Sequence, residues 1–326
     1  MSGSKYEYVK KYELPDPLML GTYMVFRLDG HSFHRYVSDM IDWDLHDTTV
    51  CFRFSDEHEF IKPNDLRALE LMDRAAKALM EEYPDIVLAF GESDEYSFLL
   101  RKSTSLYNRR QAKIVSTLTS LFTSNYVFHW PKYFPEKPLQ YPPSFDGRIV
   151  LYPTVKEVKD YFAWRQADTH INNLYNTTFW ALVQQGGQTT TEAHATLRET
   201  VSKDKNEILF SRFGINYNEI IPRYRKGSVF VRTEIEDNVV VNSDNQNQPA
   251  KEHTEEKVEV DSDNQGEPKE HIEDEQKSAR ELVLKKRLER KEKKKKTKNP
   301  PTKLELLHCD VIKDEFWAKY PQILEE

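Results

Sequence analysis

A chain of 326 residues can hold one large domain or two small ones and can bury a substantial core. With 38% hydrophobic and 31% charged residues, part of it is expected never to pack, and a net charge of −7 argues against a uniformly basic nucleic-acid binder. Two cysteines, Cys51 and Cys309, exclude a paired thiolate metal site and point to a reducing compartment.

No run approaches the roughly 20 apolar residues of a membrane span. The opening MSGSKYEYVKKYELPD is charged and lacks the apolar centre of a signal peptide. A soluble protein of the cytoplasm or nucleus is expected.

In YMVFRLDGHSF (23–33), alternation over 23–29 predicts a strand. Met24, Phe26 and Leu28 fall on a core face, with Tyr23, Val25, Arg27 and Asp29 on the other. Arg27 can hold Asp29 ionised, and Gly30 permits a turn or close approach to a ligand. Taken alone, this motif also reads as a strand-end salt bridge beside a turn glycine. Residues 40–57, acidic and irregular in period, read as a surface insertion. The stretch KPNDLRALELMDRAAKALM (62–80) predicts an amphipathic helix capped by Asn64 or Asp65, with Leu69, Met72, Ala76 and Leu79 inward. Lys62 and Asn64 stand at its mouth, within reach of a nucleotide.

IVLAFGESDEYSFLL (86–100) reads as a β-hairpin with three acids, Glu92, Asp94 and Glu95, around its tip. Neighbours on a strand point to opposite faces, so Asp94 and Glu95 are not expected to serve one ion together. One acid would meet Asp29, and the other would support it from outside. Two facing carboxylates at strand ends suit phosphoryl chemistry with Mg²⁺, which takes hard oxygen ligands and completes its shell with waters and phosphates. An acidic surface turn is the plainer alternative. In YNRRQAKIVSTLTSLF (107–122) a helix begins, with Ile114, Leu118, Leu121 and Phe122 apolar. Arg110 and Lys113 share a face near its start, where cations oppose the helix dipole unless an anion such as a triphosphate binds. Strand, helix, hairpin, helix in this order predicts an α+β fold: a ferredoxin-like palm, an antiparallel sheet backed by helices, with a helical and extended C-terminal part.

Further on, DTHINNLYNT (168–177) predicts a helix with His170, Asn173 and Thr177 on one face, opposite Ile171, Leu174 and Phe179. His and Asn can stack on and hydrogen-bond to single-stranded bases, though such residues on a helix are usually satisfied structural groups. Residues 236–300 carry an imperfect polar repeat, with Val239, Ser243 and Pro249 recurring 19 residues later. A basic run, KKRLERKEKKKKTK (285–298), with ten Lys/Arg in fourteen positions, closes this stretch. So polar a segment is expected to be disordered, and its basic run reads as a solvated tail, an RNA arm or a nuclear address. Residues 301–326 turn apolar again and are expected to dock on the body.

RLDGHSFHRY, GESDEYSF and above all RQADTHINNLYNTTFWALVQQ closely resemble the eukaryotic tRNA-histidine guanylyltransferase family. The likeness continues through DKNEILFSRFGINYN, YRKGSV and LHCDVIKDEFW, leaving out residues 40–57 and 236–300. The resemblance implies a homotetrameric, palm-fold enzyme that adds a guanosine to the 5′ end of tRNA(His). ATP would adenylylate the 5′-phosphate, the 3′-hydroxyl of GTP would displace AMP, and the added nucleotide would lose pyrophosphate. Asp29, Asp94 and the carbonyl of Gly30 would hold two Mg²⁺ ions, with Glu95 in support. Nucleotide would lie along Asp29, Gly30, His31, Ser32, Phe33 and His34 and touch Ser93. Arg110 and Lys113 would contact a triphosphate, and His34, Lys62 and Asn64 the activating nucleotide. His170, Asn173, Lys205, Asn216 and Lys226 would engage tRNA. The parts would be a catalytic palm at 1–152, a tRNA-recognition part at 153–235, the 236–300 linker and the 301–326 tail. Other readings are a palm-type nucleotide cyclase and an RNA-binding protein with a vestigial site.

Overall fold

The computed structural model describes residues 4–33, 54–234 and 302–325. Strand β1 (Tyr23–Gly30) leads to helices α1 (Phe54–Glu57) and α2 (Leu66–Glu82). A hairpin of β2 (Ile86–Glu92) and β3 (Glu95–Leu100), helix α3 (Gln111–Tyr133) and strand β4 (Phe145–Tyr152) follow. Then come α4 (Val155–Gln184), α5 (Thr190–Leu197), α6 (Ser202–Phe213), α7 (Pro222–Lys226), β5 (Ser228–Glu234), β6 (Thr302–Leu307) and α8 (Asp314–Lys319). The sheet order is β4-β1-β3-β2-β5-β6, and the four strands of the βαββαβ unit keep the ferredoxin-like arrangement. The pairings β1–β3, β1–β4, β2–β3 and β2–β5 are antiparallel. Among the described residues no helix is long and apolar enough to cross a membrane.

The alternation in β1 becomes two cores. Met24, Phe26 and Leu28 pack with Leu71, Met72, Ala76 and Leu79 of α2 and with Ile114, Leu118 and Phe122 of α3. Tyr23 and Val25 face the other way, onto Val158, Tyr161 and Phe162 of α4 and onto Phe316 and Trp317 of α8. Helices thus cover both faces, which is why β2 and β3 read as near-continuous apolar runs. A capping box, Thr154 with Glu157, starts α4 directly after β4 and turns it back over the sheet.

Gln166 of α4 fastens the tail: its Nε2 donates to the Lys226 and Cys309 carbonyls at 2.8 and 2.9 Å, and its Oε1 accepts from Val311 N at 2.8 Å. By compactness the chain divides into a body, 1–232 with 304–326, and a second unit, 233–303. Residues 1–152 and 153–232 therefore share one body, because α4 completes the core on the second face of the sheet.

Two local expectations need correction. Leu69 is half-buried, and Leu71 takes the inner position in α2. Of the two candidate caps, Asp65 is the one that serves, accepting from Arg67 N at 3.0 Å. The end of the expected insertion is core rather than surface: Phe54 is 1% exposed and stacks on Phe33 at 4.4 Å. Residues 40–53 of that insertion, Cys51, and the 236–300 linker with its basic run lie outside the described residues.

Behind the hairpin a buried network ties the second half of the chain to the palm. Tyr96 OH donates to Asp73 at 2.6 Å, Ser228 Oγ donates to the same carboxylate at 3.1 Å, and Arg223 pairs with it. Gly91 of β2 leaves room for the Tyr96 ring, since a Cβ built on it would stand 2.3 Å from ring carbon Cε2. The ring is anchored through Asp73 and cannot yield. Gly91→Ala is therefore expected to lower urea stability by about 1–3 kcal/mol; an unchanged midpoint would show that the ring has room.

Candidate active site

The hairpin turn brings the first acids together. Ser93 and Asp94 link the paired residues Glu92 and Glu95, with Ser93 in the left-handed region at φ 48°. Gly30 N donates to the Asp94 carbonyl at 3.0 Å, so the end of β1 is tied to this turn. A Cβ placed on Gly30 would stand 3.0 Å from Asp94 Cβ and 2.5 Å from the Phe33 ring. Only a glycine permits that approach. Asp29, Gly30 and Asp94 thus converge at the ends of the two inner strands, β1 and β3.

Glu95 is not on the far face from Asp29. The two residues are direct cross-strand partners, and such partners share a face. Asp94 lies in the turn, where strand alternation does not apply. A ladder of charge follows on the α4 side. Arg27 bridges Asp29 at 2.7 Å and Glu95 at 2.6 Å. Arg165 of α4, 3% exposed, lies 3.2 Å from Glu95 and 3.6 Å from Glu92 and also pairs with Asp168. The Arg27–Asp29 pair is read correctly from the strand. Arg165 is missed, for its only local signal is an i,i+3 Arg–Asp pair, which is usually a solvated face.

Burial dominates the titration of both buried acids. It raises Glu92 to about 8, against a hydrogen bond from Thr169. It raises Glu95 to about 7, against the attraction of Arg165 and Arg27. With a folded pKa above the unfolded one, Glu92 holds its proton more tightly when folded, so its contribution to stability is lost as pH rises from about 4.5 to about 8. The stability advantage of Glu92→Gln over wild type, measured in urea with EDTA, is expected to grow by about 3 kcal/mol from about pH 5 to about pH 8. A difference independent of pH would mean that Glu92 titrates as it does in water.

The start of α3 also differs from expectation. Arg110 is the N-cap residue of α3 rather than a member of its first turn. An anion already sits there: Asp16 accepts from Arg110 Nε at 3.1 Å and from Ala112 N at 2.9 Å. These bonds hold its carboxyl below the usual range. Arg109, 2% exposed, fixes the segment before β1 by donating to the Met19 carbonyl at 2.6 Å and to Thr22 Oγ1 at 3.0 Å. Lys113 is exposed and stands over the Tyr107 ring at 5.1 Å.

Of the expected nucleotide stretch, His31 is exposed and Ser32 half-buried, while the Phe33 side chain is core at 2% exposure. Its ring is therefore no nucleotide contact. His34 lies outside the described residues. Lys62 pairs with Asp56 at 2.9 Å and donates to Ser55 Oγ at 3.2 Å.

Among the residues expected to meet RNA, His170 and Asn216 are exposed and Lys226 is half-buried, 3.6 Å from Asp310. Lys205 donates to the Thr200 carbonyl at 2.7 Å. Asn173, 6% exposed, does not reach the surface, and Thr177 is likewise buried. Asn173 and Thr177 of the face read as polar turn inward while Ile171, 56% exposed, points out, because α4 packs against elements on more than one side.

A ferredoxin-like sheet with carboxylates at the ends of its inner strands is the palm class of fold. A family model described as tRNAHis guanylyltransferase matches residues 47–153, and one described as Thg1 C terminal domain matches residues 156–313. A probable tRNA(His) guanylyltransferase from Dictyostelium discoideum is 43% identical over 99% of both chains. A tRNA(His) guanylyltransferase from Neurospora crassa is 44% identical over 99% of this chain and 96% of its own. The crystal structure of the Saccharomyces cerevisiae tRNA(His) guanylyltransferase superposes with a TM-score of 0.61 at 48% identity, covering 69% of this chain and 92% of that one. A bacterial guanylyltransferase-like protein in complex with ATP shares the fold, at TM-score 0.55 and 24% identity over 70% of this chain and 88% of its own. The chain belongs to the tRNA(His) guanylyltransferase family.

Proposed function

We propose that this protein adds one guanosine to the 5′ end of tRNA(His). ATP transfers AMP to the 5′-monophosphate of the RNA and releases pyrophosphate. The 3′-hydroxyl of GTP then attacks the activated phosphorus, forms the new phosphodiester and expels AMP. Loss of pyrophosphate from the added nucleotide leaves a 5′-monophosphate. The observation that carries this reading is the convergence of Asp29, Gly30 and Asp94 at the sheet end, in a chain whose relatives bear the name of that activity.

Among the described residues no three His, Cys, Asp or Glu side chains form a metal cluster. Two carboxylates and the Gly30 carbonyl instead suit Mg²⁺, which completes its shell with waters and substrate phosphates. The approach of Asp94 to a residue without a side chain fits such a site. Bound there, Mg²⁺ would offset charge on the reacting phosphates. Arg27 holds Asp29 in place, and Arg27 and Arg165 hold Glu95, which acts as a support. Lys62 and Asn64 would face the activating nucleotide, and Arg110 and Lys113 a triphosphate. For the triphosphate to reach Arg110, it must compete with Asp16. His170, Lys205, Asn216 and Lys226 would line the RNA side. The protein works as a homotetramer, which the resemblance supports, in the cytoplasm or nucleus, where the basic run at 285–298 suits a nuclear address.

The test is to incubate purified protein with Mg²⁺, ATP, labelled GTP and 5′-monophosphorylated tRNA(His). Label should enter the RNA and be lost when the anticodon is changed. Binding without incorporation would leave an RNA-binding module, and a cyclic nucleotide formed without RNA would point to a cyclase.

A further inference from the structure

Three hydrogen bonds in a row join the mouth of α2 to the helix on the RNA side. Asn64 Nδ2 donates to Asn173 Oδ1 at 2.9 Å. Asn173 Nδ2 donates to the Tyr217 hydroxyl at 3.0 Å, and that hydroxyl donates to the His170 carbonyl at 3.3 Å. Asn173 is 6% and Tyr217 3% exposed, so the middle of the chain is out of water. The Tyr217 ring also meets the His170 ring edge-on, with centroids 5.4 Å apart. Its neighbour Asn216 accepts from Asn218 N at 3.1 Å and donates to Glu219 at 2.8 Å, which shapes the turn.

The chemistry of these groups permits one sense only. A backbone carbonyl can only accept, so the tyrosine proton goes to His170 and the phenolic oxygen accepts from Asn173. The Asn173 amide then has its nitrogen toward Tyr217 and its oxygen toward Asn64. Asn64 must in turn point its nitrogen at Asn173, which directs its own carbonyl oxygen away from α4 as an acceptor. Reversing any one amide would set donor against donor or acceptor against acceptor in a buried place, where an unmade hydrogen bond is costly. The orientation of Asn64 is thus fixed from the RNA side.

We propose that Asn173 is a positioning residue that couples seating of tRNA on His170 and Asn216 to the orientation of Asn64, and so to activation of the 5′-phosphate. This rests on the reading above that Asn64 serves the activating nucleotide. It explains why an asparagine in a helix expected to read RNA is turned inward. Its work is to relay the position of that helix, not to touch a base.

The two chemical steps can be measured apart. Transfer of AMP from labelled ATP to 5′-monophosphorylated tRNA(His) reports activation. Guanosine addition to 5′-triphosphorylated tRNA(His) needs no activation, because the RNA already carries pyrophosphate as a leaving group. In the full-length protein, Tyr217→Phe removes one hydroxyl and keeps the ring, while Asn173→Leu removes both amide bonds. Tyr217→Phe is expected to slow AMP transfer about tenfold and to leave guanosine addition to the triphosphorylated RNA within about twofold of wild type. The wild-type preference for whole tRNA(His) over a 5′-monophosphorylated acceptor-stem duplex, in the same AMP-transfer assay, should shrink by a similar factor. Combining Tyr217→Phe with Asn64→Ala should slow AMP transfer no more than Asn64→Ala alone, the non-additivity expected of one relay.

Equal losses in both steps would assign Tyr217 and Asn173 a merely structural role and overturn the proposal. Unchanged AMP transfer in Tyr217→Phe would overturn it as well. If wild type itself performs neither step on tRNA(His), the proposed function fails, and the coupling with it.

Discussion

Asp94→Ala is expected to abolish guanosine incorporation, by roughly 10³-fold or more, while tRNA(His) binding stays within about twofold of wild type. The variant removes one of the two carboxylates proposed to hold Mg²⁺ beside Gly30. The fold should tolerate it, because the turn is held by the backbone, with Gly30 N donating to the Asp94 carbonyl at 3.0 Å. The residues proposed to meet RNA lie on α4 and beyond, on other elements of the body. Single-turnover incorporation of labelled GTP, beside a binding isotherm for the same RNA, separates the two effects. Incorporation within tenfold of wild type would remove Asp94 from the chemistry and move the centre of the site elsewhere. Equal loss of binding and chemistry would mean that the turn itself had collapsed.

The second large effect belongs to stability. Arg165→Met is expected to cost about 3–5 kcal/mol, because it withdraws a buried cation from buried acids. Arg165 is 3% exposed, Glu95 9% and Glu92 10%, so water cannot take its place. Glu95 keeps Arg27 as partner, whereas Glu92 loses the cation beside it. Both acids can escape the penalty by binding a proton, and burial already pushes them that way. The cost should therefore be larger at about pH 8 than at about pH 6. Adding Glu92→Gln should recover part of it, since a neutral amide costs less to bury than a lone carboxylate. Urea unfolding of the single and double variants with EDTA present gives the comparison. A loss below about 1 kcal/mol at the higher pH would show that the ladder behaves like an exposed ion pair.

Much of the palm was legible because its signals are local. The period of two in β1 assigns Met24, Phe26 and Leu28 to one side whatever they meet there. The apolar runs flanking GESDEYSF require a hairpin, and a hairpin with its tip at Ser93 and Asp94 brings those residues beside whatever strand pairs with β3. The charge of Arg27 two residues before Asp29 on the same face needs no further information. The Lys62–Asn64 mouth of α2 follows from the cap at Asp65, one of the two residues offered for it.

Other features were wrong or invisible for a common reason. Glu95 shares a face with Asp29 because the register of β1 against β3 makes them partners, and register is a property of two strands. Asn173 is buried because the Tyr217 turn and the Asn64 loop close over it from 44 and 109 residues away. Asp16 meets the start of α3 because the segment before β1 is pinned by Arg109. Phe33 and Phe54 are core because they stack on each other across a stretch that periodicity alone reads as surface.

Periodicity, turn chemistry and charge spacing by themselves determined the order of elements, the inward face of β1 and the residues that could carry phosphate chemistry. Those depend on backbone geometry within a few residues. Which acid faces which, which cation stands between them, and which asparagine reaches solvent were decided only by tertiary packing. The free energy of a buried charge or amide depends on the partner that replaces water, and here that partner comes from a distant part of the chain.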